Sequence, residues 1–477
     1  MRKSRQILLG LIHRPLHIAA LTLLVLICGG SLLMLQGSQS ADAGAAGGSY
    51  PSLSLSAGDR ILVLSPHPDD EVLGCGGVLQ EAASAGIPYR VVFLTNGDFN
   101  QWSFLVYRKR PELLPGQVKA MGEVRQREAI AAGKALGLAP STEVFLGFPD
   151  FGTLPIWLAH WGTSAPYRSL LTRATEVPYQ NTLRPAAPYK GEPILNEIES
   201  EIRDFRPTKI FVSHPADYNS DHQALYVFTR VALWDLEQQP DWIAPELYGY
   251  LVHYPHWPAA KGPIAPPGRL AVVGSWFQHT LTPGEVERKR AALAEHATQV
   301  RSNFNYLESF IRPNELYGDL PEVALRLPPR QTMTPPVSAS QPPDELDDSE
   351  QALFIGLESR TIRLDGEHIV VTLHLSRPLA RGVSAEVYLF GYRRDRSFAD
   401  MPKVHIAVGE LLTNAHDQRR PLPQTSWQVE RRSSDIIVRV PLSAVGDPQR
   451  ILTGARTYAG QLPLSTLAWR VLDVETR

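Results

Sequence analysis

"RILVLSPHPDDEVLGCGG", residues 60–77, reads as a short apolar strand stopped by Pro66, then a turn crowded with one histidine and three consecutive acids, then a helix from Val72 to Ala85 that ends at Gly86. His67 and Asp70 stand three residues apart, a spacing that sets both side chains on the same side of one turn, with Asp69 between them pointing elsewhere. A helix start attracts carboxylates through its unpaired N–H groups and its dipole, so capping accounts for one acid, or two. It gives no reason for His67, and three adjacent carboxylates repel unless something positive sits among them.

Working outward, the same alternation repeats. "YRVVFLTNGD" (89–98) is a strand, "EVRQREAIAAGKALGL" a helix, "EVFLGFPD" a strand, "ILNEIESEIRDF" a helix, "TKIFVSHP" a strand and "DHQALYVFTRVALWDL" a helix. Strands alternating with helices predict an α/β, Rossmann-like and mostly parallel sheet with helices on both faces, with its site at the carboxyl ends of the strands. Residues 99–120 and the Pro-, Trp- and Tyr-rich 150–192 interrupt the pattern as surface insertions or substrate-binding loops. Residues 284–304 read as one further helix.

A second cluster, "SHPADYNSDHQAL" (213–225), again lies between a strand and a helix and holds His214, Asp217, Asp221 and His222. Two such turns at neighbouring strand ends face each other across the switch point of the sheet. His67, Asp70 and His222 then make a two-histidine, one-carboxylate set with open positions, the pattern of a catalytic metal site. The two cysteines, Cys28 and Cys75, supply neither a disulfide nor a cysteine-based zinc site, and Cys75 is expected to pack behind the turn.

The ends of the chain are different in character. Arg2, Lys3, Arg5 and Arg14 (within 1–15) precede the uncharged apolar run 16–35, long enough to span a bilayer as a single-pass signal-anchor, followed by a small-residue linker, 36–57. The expectation is a membrane-anchored protein with its catalytic part extracytoplasmic, or a secreted one if the run is a cleaved signal. A domain over 58–327 gives way to a Pro-rich linker, 328–350, and then to short β-type runs such as "SAEVYLFGY" and "TLAWRVLDV", read as a β-sandwich-like accessory domain over 351–477. Trp427 and Trp469 are expected in its core. With 47 basic and 49 acidic residues and a net charge of −2, the chain lacks the footprint of a nucleic-acid binder.

"PHPDDE", "GCGG" and "HPADYNSDH", with "RQREAIAAGKALGL", "FLGFPD" and "KRAALAEHATQ" in support, resemble the PIG-L/LmbE-like zinc-dependent N-deacetylases over roughly residues 58–305. The resemblance implies zinc, or Fe2+ or another divalent metal, on His67, Asp70 and His222, with Asp69 as general base and an N-acetylated amino sugar or glycan as substrate. It matches Arg125 to a substrate-contacting arginine, the other reading being an ordinary arginine on a helix surface. It departs from the pattern at Asn219, where well-studied members often carry a histidine; an amide donates a hydrogen bond but supplies no proton. Asp69 is then expected to return its own proton to the leaving amine, with His214 as the alternative acid. Asp221 reads as a carboxylate behind a ligand or as a helix cap, Asp150 as a sugar-hydroxyl contact or a loop cap, and His253 and His256 as structural or as lining the cleft. The competing classes are a glycan-binding protein that has lost activity and a non-haem iron oxygenase, which leaves Asp69 without a role.

Overall fold

The computed structural model describes residues 50–99, 114–258, 261–326, 332–334, 348–460 and 462–475. The apolar run 16–35 lies outside them, and among the described residues no helix is long and apolar enough to cross a membrane.

Five parallel strands, β1 (Ile61–Ser65), β2 (Tyr89–Thr95), β3 (Glu143–Phe148), β4 (Lys209–Ser213) and β5 (Glu246–Tyr250), lie in the order β3-β2-β1-β4-β5. Two antiparallel strands, β6 (Ser275–Thr280) and β7 (Asn314–Asp319), extend the β5 edge and were not expected. β1 is buried throughout. Ile61 and Val63 pack into the core on one face, and Leu62 and Leu64 into the core on the other, so the run is apolar without alternating. The first core receives α1 (Asp70–Ala85), α2 (Pro115–Leu136), α6 (Pro283–Glu295) and α7 (Ala297–Glu308); the second receives α3 (Thr153–Ala159), α4 (Gly191–Phe205) and α5 (Ser220–Leu236). Strand order reverses between β1 and β4, so the turns leaving these two strands share one crevice.

Several boundaries differ from the sequence reading. α2 begins at Pro115, inside the expected interruption, because proline is well suited to the first turn of a helix. The single helix expected over 284–304 is two, broken at His296, whose ψ of 56° is not helical. The 150–192 segment is no surface insertion: Trp157, Trp161, Tyr179 and Tyr189 are buried in the second core.

The C-terminal region is two sheets facing each other across a third core. One holds β10 (Leu357–Asp365), β11 (His368–Leu375), β16 (Gln428–Arg432) and β17 (Asp435–Pro441); the other holds β12 (Val383–Tyr392), β13 (Lys403–Gly409), β14 (Thr413–Asp417), β15 (Arg420–Pro421), β18 (Arg450–Ala459) and β19 (Leu462–Val474). Strands upstream of residue 351 join both. β8 (Val323–Leu325) pairs with β19 and β9 (Thr332–Thr334) with β10, so the chain enters these sheets before the Pro-rich stretch ends. The free edges of β19 and β10 take up whatever extended backbone lies beside them, and composition alone hides that. Trp427 lies in the core between the sheets, whereas Trp469 lies in the core shared with the α/β region.

Candidate active site

The β1–α1 turn is held from several sides. Ser65 Oγ donates to the His67 carbonyl at 2.7 Å, and the Thr95 N–H and hydroxyl both donate to Pro66 O at 3.0 Å. Arg125, buried on α2, donates to Pro68 O at 2.6 Å and to Gly97 O at 2.9 Å. Gly97 has φ 64°, and a Cβ there would lie 1.9 Å from the Arg125 guanidinium, so glycine alone fits.

Asp69 stands at φ 131°, ψ −32°, outside the regions an L-residue favours. Its side chain makes no capping bond, so capping does not account for it. Its N–H donates to Glu71 Oε2 at 2.8 Å, and Glu71 Oε1 meets His296 Nε2 at 3.0 Å, both residues being buried. The Asp69 carboxylate lies 3.4 Å from Arg125. Burial pushes this carboxyl up to about 7; Arg125 works against that and Asp70 adds to it.

Three ring and carboxylate atoms converge beside it. His67 Nδ1 and His222 Nε2 each lie 3.1 Å from Asp70 Oδ2. The outer nitrogens of both imidazoles face buried carboxylates: His67 Nε2 is 3.2 Å from Asp150 and 3.3 Å from Asp221, and His222 Nδ1 is 3.1 Å from Asp217. Burial alone would lower the His222 pKa, but Asp217 and Asp70 outweigh it and raise it to about 9. In His67 the same contest, with Asp150 the strongest opponent, ends well above the ordinary range. Protons on the two rings offset part of this negative charge, and Arg125 offsets part of it at Asp69 and Asp150.

That donor set fits a divalent cation. His67, Asp70 and His222 bring ligand atoms within 4.8 Å of one another, all three residues are buried, and neither His222 nitrogen makes a hydrogen bond of good geometry. An imidazole that binds metal through one nitrogen and faces a carboxylate through the other is the usual arrangement around histidine ligands.

Residues 62–233 match the family described as PIG-L, GlcNAc-PI de-N-acetylase. These residues form a PIG-L domain. A 1D-myo-inositol 2-acetamido-2-deoxy-alpha-D-glucopyranoside deacetylase of Nakamurella multipartita is 27% identical over 290 residues, 56% of this chain and 86% of that protein. Similar solved structures include the N,N'-diacetylchitobiose deacetylase of Pyrococcus horikoshii, with TM-score 0.36 and 15% identity over 54% of this chain and 82% of that one. Another is a 4-carboxy-2-hydroxymuconate hydratase of Pseudomonas putida, with TM-score 0.36 and 18% identity over 56% of this chain and 99% of that one.

Of the two places expected for Asp221, behind a histidine or capping a helix, it takes the first. Asp221 does not cap α5; Asn219 does, its Oδ1 accepting the Asp221 N–H at 2.8 Å. The Asp221 carboxylate instead reaches His67 while accepting from Phe151 N, Thr153 N and the Thr153 hydroxyl. Asp150 also faces His67, and accepts from Phe99 N at 3.0 Å. Arg125 donates to two backbone carbonyls and lies beside Asp69, with its Nε left without a partner. His214 is fully buried, stacked on Trp276, with Nδ1 accepting from Ala216 N; burial pushes it down to about 3, so it holds no proton to give at neutral pH. His253 meets the His222 ring edge at 4.8 Å, and His256 is exposed. Cys75 is buried in the core beneath the turn.

The sequence reading missed Glu71 and His296 as a pair, although both lie in stretches it singled out. It also missed Asp98, which accepts from the Tyr179 hydroxyl at 2.6 Å and is raised to about 7 by burial and by Asp150. Each partner is remote in sequence, and only the strand order brings them together.

Proposed function

We propose that this protein is a metal-dependent N-deacetylase that hydrolyses the acetamido group of an N-acetylated amino sugar. The observation that carries the reading is the convergence of His67 Nδ1 and His222 Nε2 on Asp70 Oδ2, with the carboxyl of Asp69, whose backbone is strained, alongside. His67, Asp70 and His222 would hold the cation, zinc being the first candidate. A cation held there supplies Lewis acidity, polarising an amide carbonyl and making water acidic enough to attack near neutral pH.

Asp69 takes one proton from the attacking water as the new C–O bond forms. A carboxyl with a pKa near 7 is matched to accepting that proton and then releasing it to the nitrogen as the C–N bond breaks, leaving acetate and a free amine. Arg125 keeps the Asp69 carboxylate turned and ionised, and Glu71 fixes its backbone amide. Asn219, committed as a cap through its Oδ1, carries no proton in this scheme.

The kinship with a deacetylase of an acetamido-glucoside supports a sugar substrate. The basic flank and apolar run at 16–35 support an extracytoplasmic one, part of a surface glycan or glycolipid, with the run as anchor. The test is acetate release by the full chain in detergent, with zinc restored, from N-acetylglucosamine monomers, oligomers and glycolipids. Acetate matched mole for mole by new primary amine is expected; folded, zinc-loaded protein inert on every N-acetylated substrate would overturn the reading.

A further inference from the structure

β12, β18 and β19 are buried on both faces. Val387 and Leu389 face the opposite C-terminal sheet, whereas Tyr388, Phe390, Leu452, Trp469 and Val471 join the core of the PIG-L domain. Trp157 of α3 stacks on Phe398 and meets Trp469 edge-on. Arg456 is buried in the same sheet, and its guanidinium meets an amide and a phenol: Nη2 donates to Gln223 Oε1, and Nη1 to Tyr458 Oη at 3.3 Å.

Gln223 directly follows His222. A guanidinium only donates and a carbonyl only accepts, so the amide orientation is decided: Oε1 faces Arg456, and Nε2 donates to Asp217 O at 2.7 Å. Asp217 Oδ2 in turn accepts from Val252 N at 3.0 Å and His253 N at 2.9 Å, and faces His222 Nδ1 at 3.1 Å. A second bond from the same sheet, Trp469 N to Pro215 O at 3.3 Å, holds the loop between His214 and Asn219.

From this chain of contacts we infer that the C-terminal β-region is part of the scaffold of the metal site, and that Arg456 is a positioning residue that sets His222 through Gln223 and Asp217. The inference rests on the reading of His67, Asp70 and His222 as metal ligands. The loop that orients His222 has its outer support on another layer of the molecule, so weakening that support should loosen the ligand while the strand it leaves stays in place.

The experiment uses the full chain, stripped by a chelator and titrated with Zn2+ against a chromophoric competitor, and separately with Co2+ followed by its visible absorption. Arg456→Met is expected to weaken zinc binding on the order of tenfold, the low end for groups behind a ligand, and to change the Co2+ spectrum; Arg456→Lys should recover most of both. Gln223→Glu keeps the contact with Arg456 but loses the donor to Asp217 O, so it should show the same weakening in a protein whose folding is intact. It decides the matter if Arg456→Met does not fold. Wild-type zinc affinity and an unchanged Co2+ spectrum in folded Gln223→Glu would overturn the inference alone, whereas wild-type protein that binds no metal would overturn the reading beneath it.

Discussion

The two turns that meet at the site are built alike and braced differently. The β1–α1 turn is held from within the α/β region, by Arg125 on α2 and by His296 acting through Glu71. The β4–α5 turn is held by β5 through the amides of Val252 and His253, and from outside by Arg456 and Trp469. The outer nitrogen of His67 has two carboxylates before it, and that of His222 has one. The lesson is a division of labour. The first turn carries the proton-transfer group and has two carboxylates behind its histidine; the second carries a histidine with one carboxylate behind it.

The largest expected effect comes from breaking the first turn's proton chemistry. Asp69→Asn should lower kcat by about 10²–10⁴-fold while leaving metal content unchanged, because the side chain is not in the ligand set. Metal analysis and steady-state kinetics on one sample check both halves. The redundancy is tested next by Asp217→Asn against Asp150→Asn. The first should cost about 100-fold in zinc affinity and the second nearer tenfold, since Asp221 still faces His67 in the latter. Equal losses in a competitive zinc titration would erase the contrast between the turns.

A smaller effect is expected for Glu71→Gln. It weakens the acceptor for the Asp69 N–H and its contact with His296, and the strained backbone should relax; kcat should fall roughly tenfold to 100-fold with zinc affinity kept. The smallest is a shift on the pH axis. Asp69 must be ionised to act as a base, so kcat/KM should fall as pH drops below about 7. Arg125 lowers that pKa; Arg125→Met should therefore raise it and move the acid limb to higher pH, which a pH–rate profile reads directly.

Much of this was legible locally. His67 and Asp70 stand on one turn, and the second His/Asp cluster also follows a strand; the parallel alternation then sets the two turns side by side. The supports were not legible, because each is a contact between remote segments. Glu71 and His296 are 225 residues apart and Gln223 and Arg456 are 233 apart, and no periodicity in either segment marks its partner. One signal was on the page without being used. "VYLFGY" runs without a charged residue and is buried throughout, where "DIIVRVP" carries charges and is buried at every second position, which is how a strand covered on both faces differs from one open on one side. That difference marks the inner C-terminal sheet as packed against something more than its own sandwich partner. The roles of Asn219 and Asp221 could not be read from order alone, since either residue type caps a helix and the choice is made by which carboxylate can reach His67.

The most direct test of the account is acetate release followed as Zn2+ is titrated into chelator-stripped full-length protein, with Asp70→Asn carried through in parallel. The account predicts activity that rises with zinc to a plateau at one ion per chain in the wild type, and neither tight binding nor acetate release in Asp70→Asn. Full activity in the stripped protein, or an Asp70→Asn chain that still deacetylates, would contradict it.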